Sequence, residues 1–316
     1  MSDVRQMPLF PGQPQTPADL NVHTALKDTF ALFQQHLMKE GKSEHTVKAF
    51  TSDLNLLAEH DGEATAIGDF TTTRLNNFLH WLEHGRGVPC SRKSYARRVT
   101  TLKVFFKWLT AVNALPHDPA KAILQRSGPA PLPFVLTPDE IMAAQKAARS
   151  MTRNERPDTR PEMLFRLLLE TGIKKNEAMR IEAEHIDRKD PENPVLLVKY
   201  KTRNVFKERK VPVSAGWVEL LDAYLLQYQP EDAIFNCTPR NLEYILEDIG
   251  KLADIPVKIS FEMMRWTSAL RDYQAGVDPD MIRERLGLSR VSWQETHGKI
   301  MRLAEMQSAQ DSGANQ

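Results

Sequence analysis

Cationic side chains cluster in two stretches of the chain, and phosphate is the ligand that such clusters suit. From His84 to His117 there are seven Lys or Arg residues and no Asp or Glu, and from Lys199 to Lys210 there are six cations against one acid. Lysine and arginine bind phosphate oxygens, arginine through a planar pair of N–H groups. The formal net charge is only +1, but a basic face can be offset by acid elsewhere. These uneven distributions therefore predict contact with nucleic acid.

Two later segments have the spacing of a phosphoryl-transfer site. They are Glu262-Met-Met-Arg265-Trp-Thr267 and Leu286-Gly-Leu288, with His297 nine residues further on. They resemble the catalytic end of the tyrosine recombinases, the phage integrase and Xer-type enzymes, which read His-x-x-Arg-His-Thr, then Leu-Gly-His, then a tyrosine. Arg265 matches an arginine of that family. Glu262, Trp266, Leu288 and His297 stand where it has histidine, histidine, histidine and tyrosine.

The resemblance extends to two further cationic positions. The family's Thr-Gly-x-Arg-x-x-Glu segment reads Thr171 to Glu177 here, with Lys174 at the arginine. Its hairpin lysine corresponds to Lys201. In the family these groups surround a phosphate while a tyrosine forms a covalent link to DNA, which is chemistry that needs positioned cations and an oxygen nucleophile. With His297 at the tyrosine position and Glu262 expected to pair with Arg265, the sequence predicts that the chain is not an enzyme.

The first half of the chain resembles the core-binding domain of the same family. The resemblance rests on Ser43-x-x-Thr46, Phe50-x-x-Asp53-Leu54, Ser94-x-x-Arg97 and Asp118-Pro-Ala120. Apolar residues recur at helical spacing over four segments between about Thr24 and Leu124, which predicts a compact four-helix domain. In the fourth helix Arg92, Lys93 and Arg97 precede the apolar stripe, so its basic N-terminal half suits a major groove.

The fold predicted is mainly α: an N-terminal four-helix, SAM-like core-binding domain and a C-terminal α+β domain of the tyrosine-recombinase catalytic type with a small β-sheet. Prolines and a glycine between Ser127 and Pro133 predict the linker, and in the family this linker lets two domains close around a duplex. Short strands are predicted at 196–200 and 210–213. The predicted boundaries are a disordered tail at 1–20, the first domain at 21–126, the linker at 127–134, the second domain at 135–305 and a disordered tail at 306–316.

Composition excludes several other classes of protein. Charged residues make up 26% of the chain and hydrophobic residues 41%, as in ordinary globular proteins. No apolar run reaches the roughly 20 residues that span a membrane, and no signal segment opens the chain. The two cysteines, Cys90 and Cys237, argue against a disulfide framework and a zinc site. We expect a cytoplasmic, nucleoid-associated protein with no metal, no cofactor and no membrane partner.

The function predicted is a catalytically inactive clamp on duplex DNA, with a DNA-organising, regulatory or recombination-accessory role. A second copy of the chain or an active recombinase is the further partner expected on DNA. Two alternatives stay open: an active site-specific recombinase whose nucleophile is His297 or comes from a partner, and a protein–protein interaction module. The predicted DNA-binding residues are Ser43, Thr46, Lys48, Arg92, Lys93, Arg97, Arg98, Lys103, Lys174, Lys201, Arg203, Lys207 and Arg265.

Overall fold

The computed structural model describes residues 14–124, 131–202 and 205–314, with the backbone alone described at 201–202, 205–206 and 310–314. The chain divides into two compact units, Met1–Pro129 and Ala130–Gln316. Residues 127–130 of the predicted linker and residues 1–13 of the predicted N-terminal tail lie outside the described residues. Of the rest of that tail, Pro17–Asp19 form a 3-10 turn and Leu20 is buried.

The first unit is the predicted four-helix domain. Its helices are α1 (Phe30–Lys39), α2 (Glu44–Asp61), α3 (Thr72–His80) and α4 (Arg92–Ala111). The predicted helix starts are confirmed, because the Ser43 hydroxyl accepts from the backbone N–H of Thr46 and the Ser91 hydroxyl accepts from that of Ser94. Such caps satisfy N–H groups that have no partner inside the helix.

Aromatic residues join α1 to α4 at the centre of this unit. The rings of Phe33 and Phe105 meet edge to face with centroids 5.1 Å apart, and Phe105 meets Phe106 in the same way at 5.1 Å. All three side chains are almost completely buried. This packing fixes α4 by its apolar face and leaves its basic face outward.

The second unit has eight α-helices among the described residues. They are α5 (Pro138–Ser150), α6 (Thr159–Thr171), α7 (Lys175–Ala178), α8 (Ala215–Tyr228), α9 (Pro239–Leu252), α10 (Phe261–Gln274), α11 (Pro279–Arg285) and α12 (Arg290–Ala314). A capping box at Thr137 opens α5, with proline in the first turn. Helix α6 ends at Gly172 in the left-handed conformation, with φ at 57°, which glycine adopts without steric cost.

The strands of the second unit form two small antiparallel sheets. The pair β1 (Thr152–Arg153) and β2 (Arg156–Pro157) makes a hairpin before α6, and β3 (Ile186–Asp187), β4 (Val195–Thr202) and β5 (Val205–Pro212) form a sheet in that order. The predicted hairpin at Lys201 is therefore confirmed with longer strands than expected. Its register places Val198 opposite Arg209.

The C-terminal helix is longer than the sequence predicted. Helix α12 continues through 306–314, the stretch for which a disordered tail was expected. Ile300 and Leu303 are buried against Ala269, Leu270, Ile282 and Leu286, so the helix is anchored on its own unit before the polar stretch begins. Once a helix is nucleated, each added residue gains one hydrogen bond. No helix among the described residues is long and apolar enough to cross a membrane.

Candidate functional site

The exposed N-terminal turn of α4 carries two cations. Arg92 and Lys93 are exposed, and the first turn of the helix has no acidic residue. On α2, the Ser43 and Thr46 hydroxyls lie 3.0 Å apart, and Lys48 is 77% exposed with its Nζ 3.9 Å from Glu44. These polar groups are accessible at the starts of two helices of one unit.

A buried carboxylate organises the middle of α4. Asp53 of α2 is 2% exposed; its Oδ1 accepts from the Arg97 guanidinium at 2.8 Å and its Oδ2 from the Thr101 hydroxyl at 2.9 Å. Burial raises the pKa of the Asp53 carboxyl, against the opposing hydrogen bond of Thr101 and the charges of Arg97 and Arg98. The network locks α4 onto α2.

Arg98 does not have the exposure that its predicted role in DNA binding requires. Arg98 is only 9% exposed, its guanidinium lies 3.6 Å from Asp53, and it donates to the Cys90 sulfur. Its position on α4 turns it toward the helical core, so it supports the Asp53 network. Arg97 keeps 40% of its side chain exposed, and Lys103 is half-buried.

In the second unit three cations surround one buried carboxylate. Arg209 of β5 donates to both oxygens of Glu177, at 2.9 and 2.7 Å, and the two side chains are 9% and 5% exposed. Burial acts to raise the pKa of the Glu177 carboxyl, but the hydrogen bonds and charge of Arg209 hold it below its ordinary value. Sequence reasoning missed this role of Arg209, since Glu177 lies 32 residues away in the chain.

Arg265 and Lys174 complete this cation cluster, which consists of Lys174, Arg209 and Arg265 around Glu177. Arg265 donates to the carbonyls of Gly172 and Leu286, which ties α10 to the end of α6 and to the end of α11. Burial lowers the pKa of Arg265 to about 10, and the charge of Arg209 acts in the same direction. Burial also lowers the pKa of Lys174, and the charges of Arg265 and Arg209 contribute. The cluster therefore holds more positive charge than its one carboxylate neutralises.

Glu262 does not form the predicted ion pair. Its carboxylate accepts from the Trp266 indole at 3.1 Å, while the Arg265 guanidinium turns inward to its two carbonyls. Glu262 is exposed and acts on Arg265 through its charge, which raises the pKa of the guanidinium. Glu262 thus bonds to Trp266, four residues along the helix, and not to Arg265, three residues along, as the sequence predicted.

The position nine residues after Leu288 lies in an aromatic group. The His297 ring stacks on Trp293 at 5.2 Å and meets the Tyr273 ring edge to face at 5.9 Å. Leu288 packs against the apolar cluster of α10, α11 and α12. Lys207 is exposed, whereas the side chain of Lys201 and the whole of Arg203 lie outside the described residues.

Comparison with known proteins supplies the context for this geometry. The pattern of the Phage integrase family matches residues 135–296, and that of the phage integrase N-terminal SAM-like domain matches residues 30–113. Tyrosine recombinase XerC of Mycobacterium sp. (strain KMS) is 27% identical over 289 residues, which cover 86% of this chain and 94% of that protein. XerC of Myxococcus xanthus is also 27% identical, with 88% of this chain and 94% of that protein covered.

Solved structures share the fold. The XerH site-specific recombinase bound to its palindromic difH substrate matches with a TM-score of 0.68 at 18% identity, covering 93% of this chain and 92% of that one. A lambda integrase tetramer bound to a Holliday junction matches with a TM-score of 0.68 at 16% identity, covering 87% and 77%. The predicted fold class is therefore confirmed.

The expectation that the chain is not an enzyme is wrong. The relatives that match it over most of their length are named tyrosine recombinases, and its second unit matches the Phage integrase family. That expectation rested on the replaced side chains at the family's catalytic positions, and such replacements do not by themselves exclude an enzyme.

Proposed function

Since the chain belongs to the Phage integrase family, we propose that it binds duplex DNA and acts in DNA strand exchange. The observation that carries this proposal is the cation cluster, in which three cations share one carboxylate. Burial first, and then the neighbouring cations, lower the pKa values of Lys174 and Arg265, and a DNA phosphate would neutralise the excess positive charge. Cations held in place before the reaction also stabilise charge that develops on a phosphate.

The start of α4 supports the DNA-binding part of the proposal. Helix N-termini favour anions, because the partial charge there is positive. The positive charges of Arg92 and Lys93 therefore lie at the positive end of the helix and do not stabilise it. Exposed cations at such a position gain most from a phosphate on a partner, and phosphate contacts supply most of the affinity for duplex DNA.

Strand cleavage also requires a nucleophile that attacks the phosphate. His297 occupies the position of the family's tyrosine, so cleavage by this chain uses the His297 imidazole or a nucleophile from another subunit. In the first case one ring nitrogen bonds to phosphorus and the bond from phosphorus to a deoxyribose oxygen breaks. That oxygen takes a proton from solvent, while the other ring nitrogen releases its proton to solvent. The imidazole must be neutral to attack, and the aromatic contacts with Trp293 and Tyr273 orient it.

The experiment begins with recovery of bound fragments from sheared source-genome DNA, followed by sequencing and a denaturing gel. We expect one enriched site and a protein–DNA adduct that survives denaturation. A phosphohistidine link is broken by acid and survives alkali, whereas a link to a partner's tyrosine survives acid. His297→Ala should abolish the acid-labile adduct and leave enrichment unchanged.

The outcomes separate the parts of the proposal. Enrichment without an adduct from wild-type protein would refute strand cleavage and keep DNA binding. An adduct that persists in His297→Ala would refute His297 as the nucleophile and point to another subunit. Failure to enrich any fragment at low salt would refute DNA binding itself.

A further inference from the structure

A second cationic site lies in the second unit, at the opposite end of α6 from the cation cluster. A cavity of about 900 Å³ opens between the β1–β2 hairpin, the start of α6 and the start of α9, and three of its lining residues are Arg153, Arg156 and Arg160. Helix α6 has 13 residues, so roughly 20 Å separates its two ends. A phosphate held by the cation cluster does not reach this cavity.

The deepest cation of the cavity is incompletely bonded. Arg160 is 7% exposed and donates to the Asn236 side chain at 2.8 Å, while its face covers the Tyr228 ring at 3.9 Å. Its buried Nε has no hydrogen-bond partner among the described residues. A buried donor left without a partner costs free energy, and an anion that binds the guanidinium from the cavity would offset part of that cost through its charge.

The cavity has a surplus of positive charge. No carboxylate of the described residues lies within salt-bridge distance of Arg153, Arg156 or Arg160. Asp158, the acidic residue next to Arg160, is engaged as the N-cap of α6 and as acceptor of the Tyr228 hydroxyl at 2.6 Å. Arg153 interacts with Tyr228 and with the charge of Asp158, so one carboxylate faces three guanidinium groups and net positive charge remains for a ligand.

The N-terminus of α9 adds positive partial charge to the same cavity. Thr238, the N-cap of this 14-residue helix, and Asn241 of its first turn both line the cavity. The Thr238 hydroxyl accepts from the Asn241 N–H and the Thr238 carbonyl accepts from the Leu242 N–H. Pro239 has no N–H, so the first turn keeps one donor without a partner among the described residues, the backbone N–H of Arg240. Helix N-termini with adjacent arginines bind phosphate groups.

From these features we infer that this cavity binds the terminal phosphate of a small phosphorylated molecule. Only 7% of Arg160 is exposed in the cavity, and this favours a ligand much smaller than a duplex, because the phosphates of a rigid, wide cylinder approach so small a surface poorly. A phosphate at the end of a small molecule has no such obstacle. Its several oxygens match the forked donors of three guanidinium groups.

The test is titration of the full chain with pyrophosphate, followed by calorimetry. We expect one site per chain with a Kd below about 1 mM. Arg153→Gln combined with Arg156→Gln should weaken binding about tenfold or more, because two exposed charge-assisted contacts are lost without disturbance of the core. Arg149→Gln is the matched control, since Arg149 is an exposed arginine of the same unit that pairs with Glu162, and it should bind as the wild type does.

Arg160→Lys supplies a second variant, which keeps the charge and loses the Nε donor. We expect it to weaken pyrophosphate binding while thermal unfolding reports whether it folds. Absence of binding, or equal binding by the Arg153 and Arg156 double variant, would overturn the inference. Displacement of pyrophosphate by duplex DNA would also overturn it and make the cavity a DNA contact. None of these results depends on whether the chain cleaves DNA.

Discussion

The buried pair of Glu177 and Arg209 is the interaction whose loss has the most predictable size. In the wild type the Glu177 carboxylate accepts from the Arg209 guanidinium and from the backbone N–H of Lys174. Glu177→Gln keeps the shape of the side chain but removes its charge and places an amide N–H₂ against these donors. Removing one partner of a buried pair costs about 3–5 kcal/mol, because the other charge stays buried. For a unit of this size, about 3 kcal/mol lowers Tm by roughly 6–12 °C.

Glu243→Gln is the matched control for this prediction. Glu243 also pairs with a cation of α7, with its carboxylate 2.6 Å from Lys175, but these side chains are 39% and 43% exposed. Exposed pairs contribute about 1 kcal/mol or less. Urea unfolding monitored by tryptophan fluorescence compares both variants with the wild type. Equal costs for Glu177→Gln and Glu243→Gln would refute the reasoning, because burial would then not determine the cost.

The same pair predicts a pH dependence of stability. The pKa of Glu177 is lower in the folded chain than its ordinary value of 4.5. The ionised pair therefore contributes its full stability above about pH 4.5 and loses it as the pH falls through the folded pKa. The difference in unfolding free energy between wild type and Glu177→Gln should shrink below pH 4.5. A constant difference from pH 6 to pH 3 would show that the carboxylate charge is not the cause.

Three further predictions concern a helix end, a buried hydroxyl and the DNA-binding surface. Gly172→Ala should destabilise the chain in thermal unfolding by more than Gly276→Ala, for which about 1 kcal/mol is expected. Both glycines have positive φ, but an added Cβ would lie 2.9 Å from Leu286 at Gly172 and would meet nothing within 4 Å at Gly276. Equal losses in the two variants would contradict this prediction. Thr101→Val should cost about 1–3 kcal/mol in urea unfolding, because it leaves a buried oxygen of Asp53 without its donor, and a neutral result would show that Asp53 finds another partner. The double variant Arg92→Gln, Lys93→Gln should reduce the steepness of log K for duplex DNA against log salt concentration by about 2, as measured by fluorescence anisotropy. The control Lys39→Gln, at an exposed lysine of α1, should leave that slope unchanged. An unchanged slope in the double variant would exclude phosphate contact by these two residues of α4.

Local patterns in the sequence were sufficient for the four helices of the first unit and for the β4–β5 hairpin and the long helices α5, α6, α8, α9 and α10 of the second. They did not reveal the short elements β1, β2, β3, α7 and α11 or the length of α12. The helix starts at Ser43, Ser91 and Thr137 were readable because a cap bonds only three residues along the chain. The hairpin of β4 and β5 followed from two runs with strand character and a short turn. The family resemblance was readable for the same reason, since its motifs are short and their spacing is visible in one sequence.

The chemistry of individual side chains was decided by tertiary packing. Arg97 and Arg98 looked alike in a basic run, yet the helix orientation exposes 40% of one side chain and 11% of the other. Arg209 meets Glu177 only because β5 passes beside α7, and Arg160 meets Asn236 across 76 residues of sequence. Propensity and capping act over a few residues, so one sequence reveals them. The partner of a charge depends on which distant elements pack together, and that determines whether the charge binds a ligand or supports the fold.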